Sequence, residues 1–111
     1  MAEPQPQLDY TANVEKYAST VDAAALKGIV KYLGIALQNR DSSLVATSDP
    51  EELKRVRDSF MKKKLGLTQT DAELDAALKD VITTMSGERN KSRVTFYYLL
   101  AEKFGKLGLF V

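Results

Sequence analysis

Three cations at alternate positions, Arg89, Lys91 and Arg93, stand at the threshold of the last long apolar stretch, with Asn90 and Ser92 between them. A helix start is where unpaired backbone N–H groups and the positive end of the dipole favour an anion. Cations placed there oppose the dipole and destabilise the helix somewhat, which an anion site tolerates and a plain scaffold does not need. These residues are therefore the most specific binding candidates, for a nucleic acid or another anionic ligand. The competing reading is structural, with Arg89 or Arg93 paired to a carboxylate such as Asp75, Asp80 or Glu88.

A second basic run, Lys62-Lys63-Lys64, closes a segment in which Lys54, Arg55 and Arg57 are also cationic and Asp58 is the one acid among them. Phosphate contact is the functional reading, with Lys62, Lys63 and Lys64 assisting the Arg89 cluster. Projected on a helix, however, these charges point in many directions. Glu51 and Glu52 in the first turn and lysines in the last are also what the helix dipole favours, so a solvated face is the weightier reading. The net charge of +1, from 16 Lys and Arg against 15 Asp and Glu, argues against a whole-molecule grip on nucleic acid or membrane. Charge is nevertheless divided: residues 1–53 hold four cations and eight acids (4 − 8 = −4), and residues 54–111 hold twelve and seven (12 − 7 = +5).

The chain has no His and no Cys, which removes the side chain that titrates near neutrality, the thiol nucleophile, disulfides and the imidazole and thiolate metal ligands. Carboxylates, Lys, hydroxyls and the pair Tyr97-Tyr98 remain, and Tyr is commonly a core residue with a polar tip. Asp71, Glu73 and Asp75 alternate as in a calcium loop, but Ala76 replaces the required glycine and Ile82 the bidentate glutamate. No P-loop, nucleophile elbow or dinucleotide glycine pattern occurs. The reading is a non-enzymatic protein without a metal, a cofactor or a catalytic residue.

The elements that carry these residues are helical. With 44% hydrophobic residues in 111, one domain with a modest core is expected. Residues 1–8, with Pro4 and Pro6, read as a disordered tail without a signal-peptide pattern, ahead of a single helical domain over 9–111. Asp9 caps a first helix through Tyr10, Val14 and Tyr17 to about Thr20. Asp22 caps a second to about Gln38, in which Gly28 and Gly34 suggest a close crossing by another helix. Asp49-Pro50-Glu51-Glu52 has the form of a capping box with proline at the first helical position, and Leu65-Gly66-Leu67 that of a left-handed glycine stop. Thr70 and Glu73 repeat the box ahead of a fourth helix. The fifth, Asn90 to Phe104, is apolar nearly all round and must be central. No run alternates long enough to read as a strand. The fold class is therefore all-α, a compact bundle of about five helices with a central apolar C-terminal helix.

Ser43–Ala46, Phe60–Leu67, Arg89–Arg93 and Tyr97–Lys106 resemble the small bacterial family catalogued as domain of unknown function 2853. The resemblance covers most of the chain after the tail. It implies a bacterial, all-helical, stand-alone protein, and it transfers no functional residue because the family has no assigned activity.

The end, Leu107-Gly108-Leu109-Phe110-Val111, is apolar and must dock, either on its own bundle or on a neighbour. Leu109 and Phe110 are the candidates for self-association. The leading expectation is a cytoplasmic module working by protein–protein contact, as a homodimer or with a protein partner and without a membrane. The alternative is weak nucleic-acid or anionic-ligand binding through Arg89, Lys91 and Arg93.

Overall fold

Every residue from Arg93 to Ala101 is buried in the computed structural model, which describes residues 6–18, 20–38 and 42–111. Helix α5 (Arg93–Lys103) is thus the axis of the molecule, and α1 (Pro6–Glu15), α2 (Ala23–Leu33) and α4 (Asp71–Thr84) all pack on it. A helix that is apolar on all sides has no face to offer water, so the others must surround it. Among the described residues the architecture is a mostly helical bundle of five helices with one minimal two-stranded ladder.

Helix α1 begins at Pro6, three residues before the expected cap Asp9. Residues 6–8 are therefore its first turn rather than a tail, and residues 1–5 lie outside the described part. Proline suits that first turn because its missing N–H has no helical partner there. The helix also stops at Glu15, ahead of the expected end, and buries Val14 against the core. Asp22 caps α2 by accepting from the Ala25 amide at 3.0 Å, and its own amide donates to the Tyr98 hydroxyl at 2.8 Å. At Gly34 the winding tightens to a 3₁₀ helix, Gly34–Gln38.

Two residues of strand β1 (Leu44–Val45) pair antiparallel with two of β2 (Lys91–Ser92). This ladder is too short to leave a period in the sequence. It has a consequence for α5: Lys91 and Ser92 are held as strand, so the helix opens at Arg93 and not at Asn90.

Helix α3 (Pro50–Arg55) continues into a nine-residue π-helical segment, Val56–Lys64. Val56, Phe60, Met61 and Leu65 are all at least 98% buried. At the α-helical 100° per residue, Met61 and Leu65 would point away from Val56. The wider i→i+5 winding returns i, i+4, i+5 and i+9 to one side, so burial of these four side chains accounts for the unusual winding. The segment ends at Gly66, with φ +68°, as the glycine stop requires. Thr70 and Glu73 then form a full capping box at the start of α4.

Candidate functional site

The strongest sequence candidate, Arg93, is 8% exposed, and all five of its N–H groups are committed within the chain. Nε donates to the Ser42 carbonyl at 2.5 Å, and Nη2 to the Leu44 carbonyl at 3.0 Å. Nη1 and Nη2 grip the two oxygens of Glu52 at 3.1 and 3.2 Å, and Nη1 also donates to the Tyr97 hydroxyl at 3.2 Å. Burial disfavours the guanidinium charge, but Glu52 and Tyr97 outweigh it and raise Arg93 above its ordinary pKa. Its backbone amide is taken as well, by the Ser43 carbonyl at 2.8 Å. No donor is left for an external anion. The structural reading of Arg93 holds, with Glu52 as the partner in place of Asp75, Asp80 or Glu88.

Glu52 therefore does not close a capping box. Asp49 alone caps α3, accepting from the Glu51 amide at 3.0 Å, while its own amide donates to the Ala46 carbonyl. Around the Arg93–Glu52 pair, Ser42, Arg55, Ser59 and Tyr97 line an open depression of about 510 Å³. Its one carboxylate is gripped by the guanidinium, and burial raises the pKa of Tyr97 against the pull of Arg93. Both oxygens of the one carboxylate lining the depression are thus already engaged by Arg93.

The other expected anion ligands do not converge on it. Lys91 is buried, its ammonium donating to the Glu88 carbonyl at 2.8 Å. Arg89 is exposed, without a carboxylate partner among the described residues, and borders a different depression of about 380 Å³ along Leu44–Ser48. Lys62 sits between Asp58 at 3.5 Å and Asp71 at 2.5 Å, and Arg57 reaches Asp58, Asp71 and Asp75. Those pairs also give the acids of α4 a structural use. Lys63 is exposed, and the Lys64 ammonium lies over the Tyr32 and Phe110 rings, 5.1 and 5.3 Å from their centroids. The divided charge is likewise interleaved, since Glu52 meets Arg93 and Lys16 meets Glu88.

Glu88 is a hub that the sequence reading assigned only as a partner for arginine. Its carboxylate accepts from Asn13 Nδ2 at 2.9 and 3.0 Å, Lys16 at 3.3 Å and the Tyr17 hydroxyl at 2.5 Å. Asn13 Oδ1 in turn accepts from the Thr95 hydroxyl, so α1 is tied to α5 and to the turn before β2. Burial pushes the Glu88 carboxyl up, and these donors more than reverse it, leaving it below the usual range. Burial and the adjoining carboxylate push Tyr17 up to about 12.

The apolar end docks on its own bundle. Phe110, in the 3₁₀ segment Leu107–Phe110, is 8% exposed, with its ring 6.0 Å from Tyr32 and 6.1 Å from Phe60. Phe60 stacks in turn on Tyr97 at 4.0 Å. Gly28 receives the segment, since a Cβ there would lie 1.9 Å from the Phe110 carbonyl oxygen. The close crossing that Gly28 signals is thus made by the 3₁₀ segment and not by another helix. Phe110 is accordingly not offered to a neighbour in this arrangement, whereas Leu109 is 50%, Val111 76% and Tyr32 44% exposed. Sequence reasoning missed Tyr32; its signal was Gly28 one turn earlier, marking the face where another segment arrives.

Among the described residues no group of three or more Asp and Glu is arranged to hold a metal ion, and no helix is long and apolar enough to cross a membrane. The buried charges of Arg93 and Lys91 hold elements together, and the exposed large apolar side chains among the described residues are Tyr32, Leu109 and Val111. No curated protein matches the chain. The family described as protein of unknown function (DUF2853) matches residues 9–108, from within α1 to the start of the docked segment, and the chain belongs to that family.

Proposed function

We propose that the chain is a non-enzymatic helical interaction module of the bacterial cytosol that works by binding a second copy of itself through the face around Phe110. The observation that carries this reading is the exposure of Tyr32, Leu109 and Val111, the exposed large apolar residues among those described, of which Tyr32 has its ring 6.0 Å from that of Phe110 and the other two are the chain neighbours of Phe110. Single exposed apolar side chains need no explanation; several close to one buried aromatic suggest a covering partner. A two-fold arrangement covers them with the same face of the other copy and requires no second chemistry. The non-enzymatic part rests on the commitment of Arg93, Glu52 and Tyr97 to one another.

Sedimentation equilibrium tests the proposal. Wild type is expected to dimerise, and Leu109→Asp to weaken the dimer at least tenfold, about 1.4 kcal/mol. A wild type that stays monomeric up to about 1 mM, where even a weak contact would register, rejects it.

A further inference from the structure

The depression over the Arg93–Glu52 pair is lined by hydrogen-bond donors that the fold itself does not use. Tyr97 is buried there, with its ring stacked on Phe60 at 4.0 Å and its hydroxyl oxygen accepting from Arg93 Nη1 at 3.2 Å. A phenol also has one proton to give, and among the described residues no acceptor takes it. Arg55, which lines the same depression, is exposed. Its one ion-pair partner among the described residues is Glu52, at 3.8 Å, and both oxygens of Glu52 are already held by Arg93. At that distance no hydrogen bond forms, so the Arg55 guanidinium keeps its fork of N–H groups available. The Ser59 hydroxyl likewise has no partner among the described residues.

Ser59 comes to this place through the π-helical winding. The wider winding adds one residue between Val56 and Phe60, and of the three in that interval Arg57 and Asp58 are taken by ion pairs while Ser59 lines the depression. Insertions of this kind recur at functional sites. The charges narrow the ligand further. Arg93 and Glu52 offset each other, so Arg55 leaves the lining with a single net positive charge. Donors around one cation complement an anion, and Glu52 in the same lining repels a second negative charge on it. A carboxylate carries one charge, matches the planar arginine fork with its two oxygens and has further lone pairs for hydroxyl protons. We infer that the depression is a binding site for the carboxylate of a small organic acid, gripped by Arg55 and hydrogen-bonded by Ser59 and Tyr97. Arg93 makes no contact with the ligand and holds the Tyr97 hydroxyl in position. The volume, about 510 Å³, suits a molecule of metabolite size. Tyr32, Leu109 and Val111 are not part of this lining, so the site and the self-association proposed above stand or fall separately.

Titration of the isotopically labelled full chain with acetate at constant ionic strength, followed by NMR chemical shifts, tests the site. Acetate is expected to move the Ser59 amide and the Arg55 side-chain signals saturably, with a Kd below about 20 mM. Hydrogen phosphate, a dianion above neutral pH, is expected to bind at least threefold more weakly, roughly the effect of a like charge nearby. Arg55→Gln should weaken acetate binding about tenfold, as loss of a charged partner does, and Ser59→Ala and Tyr97→Phe about threefold each. Arg55 and Ser59 are exposed, so their variants keep the fold and decide the matter even where Tyr97→Phe does not fold. Shifts that do not saturate at ten times the expected Kd overturn the site, as does an affinity that neither Arg55→Gln nor Ser59→Ala changes. Hydrogen phosphate bound as tightly as acetate overturns the choice of a carboxylate and with it the inference.

Discussion

Glu52, three residues into α3, gives its carboxylate to Arg93, 41 positions later, and not to the N-terminus of its own helix. Both side chains are nearly buried, at 13% and 10% exposure. Capping would satisfy one amide that water can reach, whereas abandoning Arg93 would leave a guanidinium charge uncompensated inside the protein. The second penalty is the larger, and it decides where the carboxylate goes.

Glu52→Ala is therefore expected to lower unfolding stability by roughly 3–5 kcal/mol, as breaking a buried ion pair does. Asp49→Ala removes only a cap and should cost about 1 kcal/mol. Urea denaturation of the two variants checks the order; equal losses would mean that Glu52 acts as a helix cap after all.

Gly28→Ala is expected to destabilise, although alanine is the better helix former by about 1 kcal/mol. Its Cβ would lie 1.9 Å from a backbone oxygen, which cannot swing aside as a side-chain tip does, and overpacking of this kind costs roughly 1–3 kcal/mol. Gly87→Ala, whose Cβ meets nothing within 4 Å, should stay within about 0.5 kcal/mol of wild type. Thermal melts of both variants provide the comparison.

The Glu88 hub sets both ends of the pH–stability curve. The Glu88 carboxyl is lowered on folding, so its contribution is present above the ordinary carboxylate pKa and is lost as acid protonates it in the native state. Asp58 and Asp71, lowered first by their hydrogen bonds to Arg57 and Lys62 respectively, add to the same acid limb. Tyr17 is raised from 10.0 to about 12, so its contribution is complete below pH 10 and disappears as pH rises through about 12. Urea unfolding over pH should thus fall at both extremes, and Tyr17→Phe should flatten the alkaline limb and, because it removes a donor that holds the Glu88 carboxyl down, lessen the acid one as well.

Local signals in the sequence translate directly into structure where few residues decide the outcome. Thr70 with Glu73, Asp22, Gly66 and the all-round apolar face of α5 each act within a turn or two, and each takes the expected place. What fails is whatever depends on distant residues. The capping-box pattern at Asp49 is locally valid, yet it loses its glutamate to a residue that nothing near it reveals. The two-residue strands are too short for a period, although they decide where α5 opens and so move Arg89 and Lys91 out of the helix. The basic clusters look alike in sequence and divide in space into buried, paired and exposed members. Which member is which depends on carboxylates and carbonyls from other elements.

The π-helical winding of Val56–Lys64 means that this segment carries one residue more than an α-helix would need to present the same four side chains. Removing Ser59, which is exposed, would respace Val56, Phe60, Met61 and Leu65 from i, i+4, i+5 and i+9 to i, i+3, i+4 and i+8. That is an ordinary α-helical stripe. A chain lacking Ser59 is thus expected to rewind and still melt cooperatively, whereas one lacking Ala76 of α4, which is also exposed, turns Ala77, Leu78 and Val81 away from the core and should not. Circular dichroism melts of the two deletions distinguish a helix with slack from a helix without any.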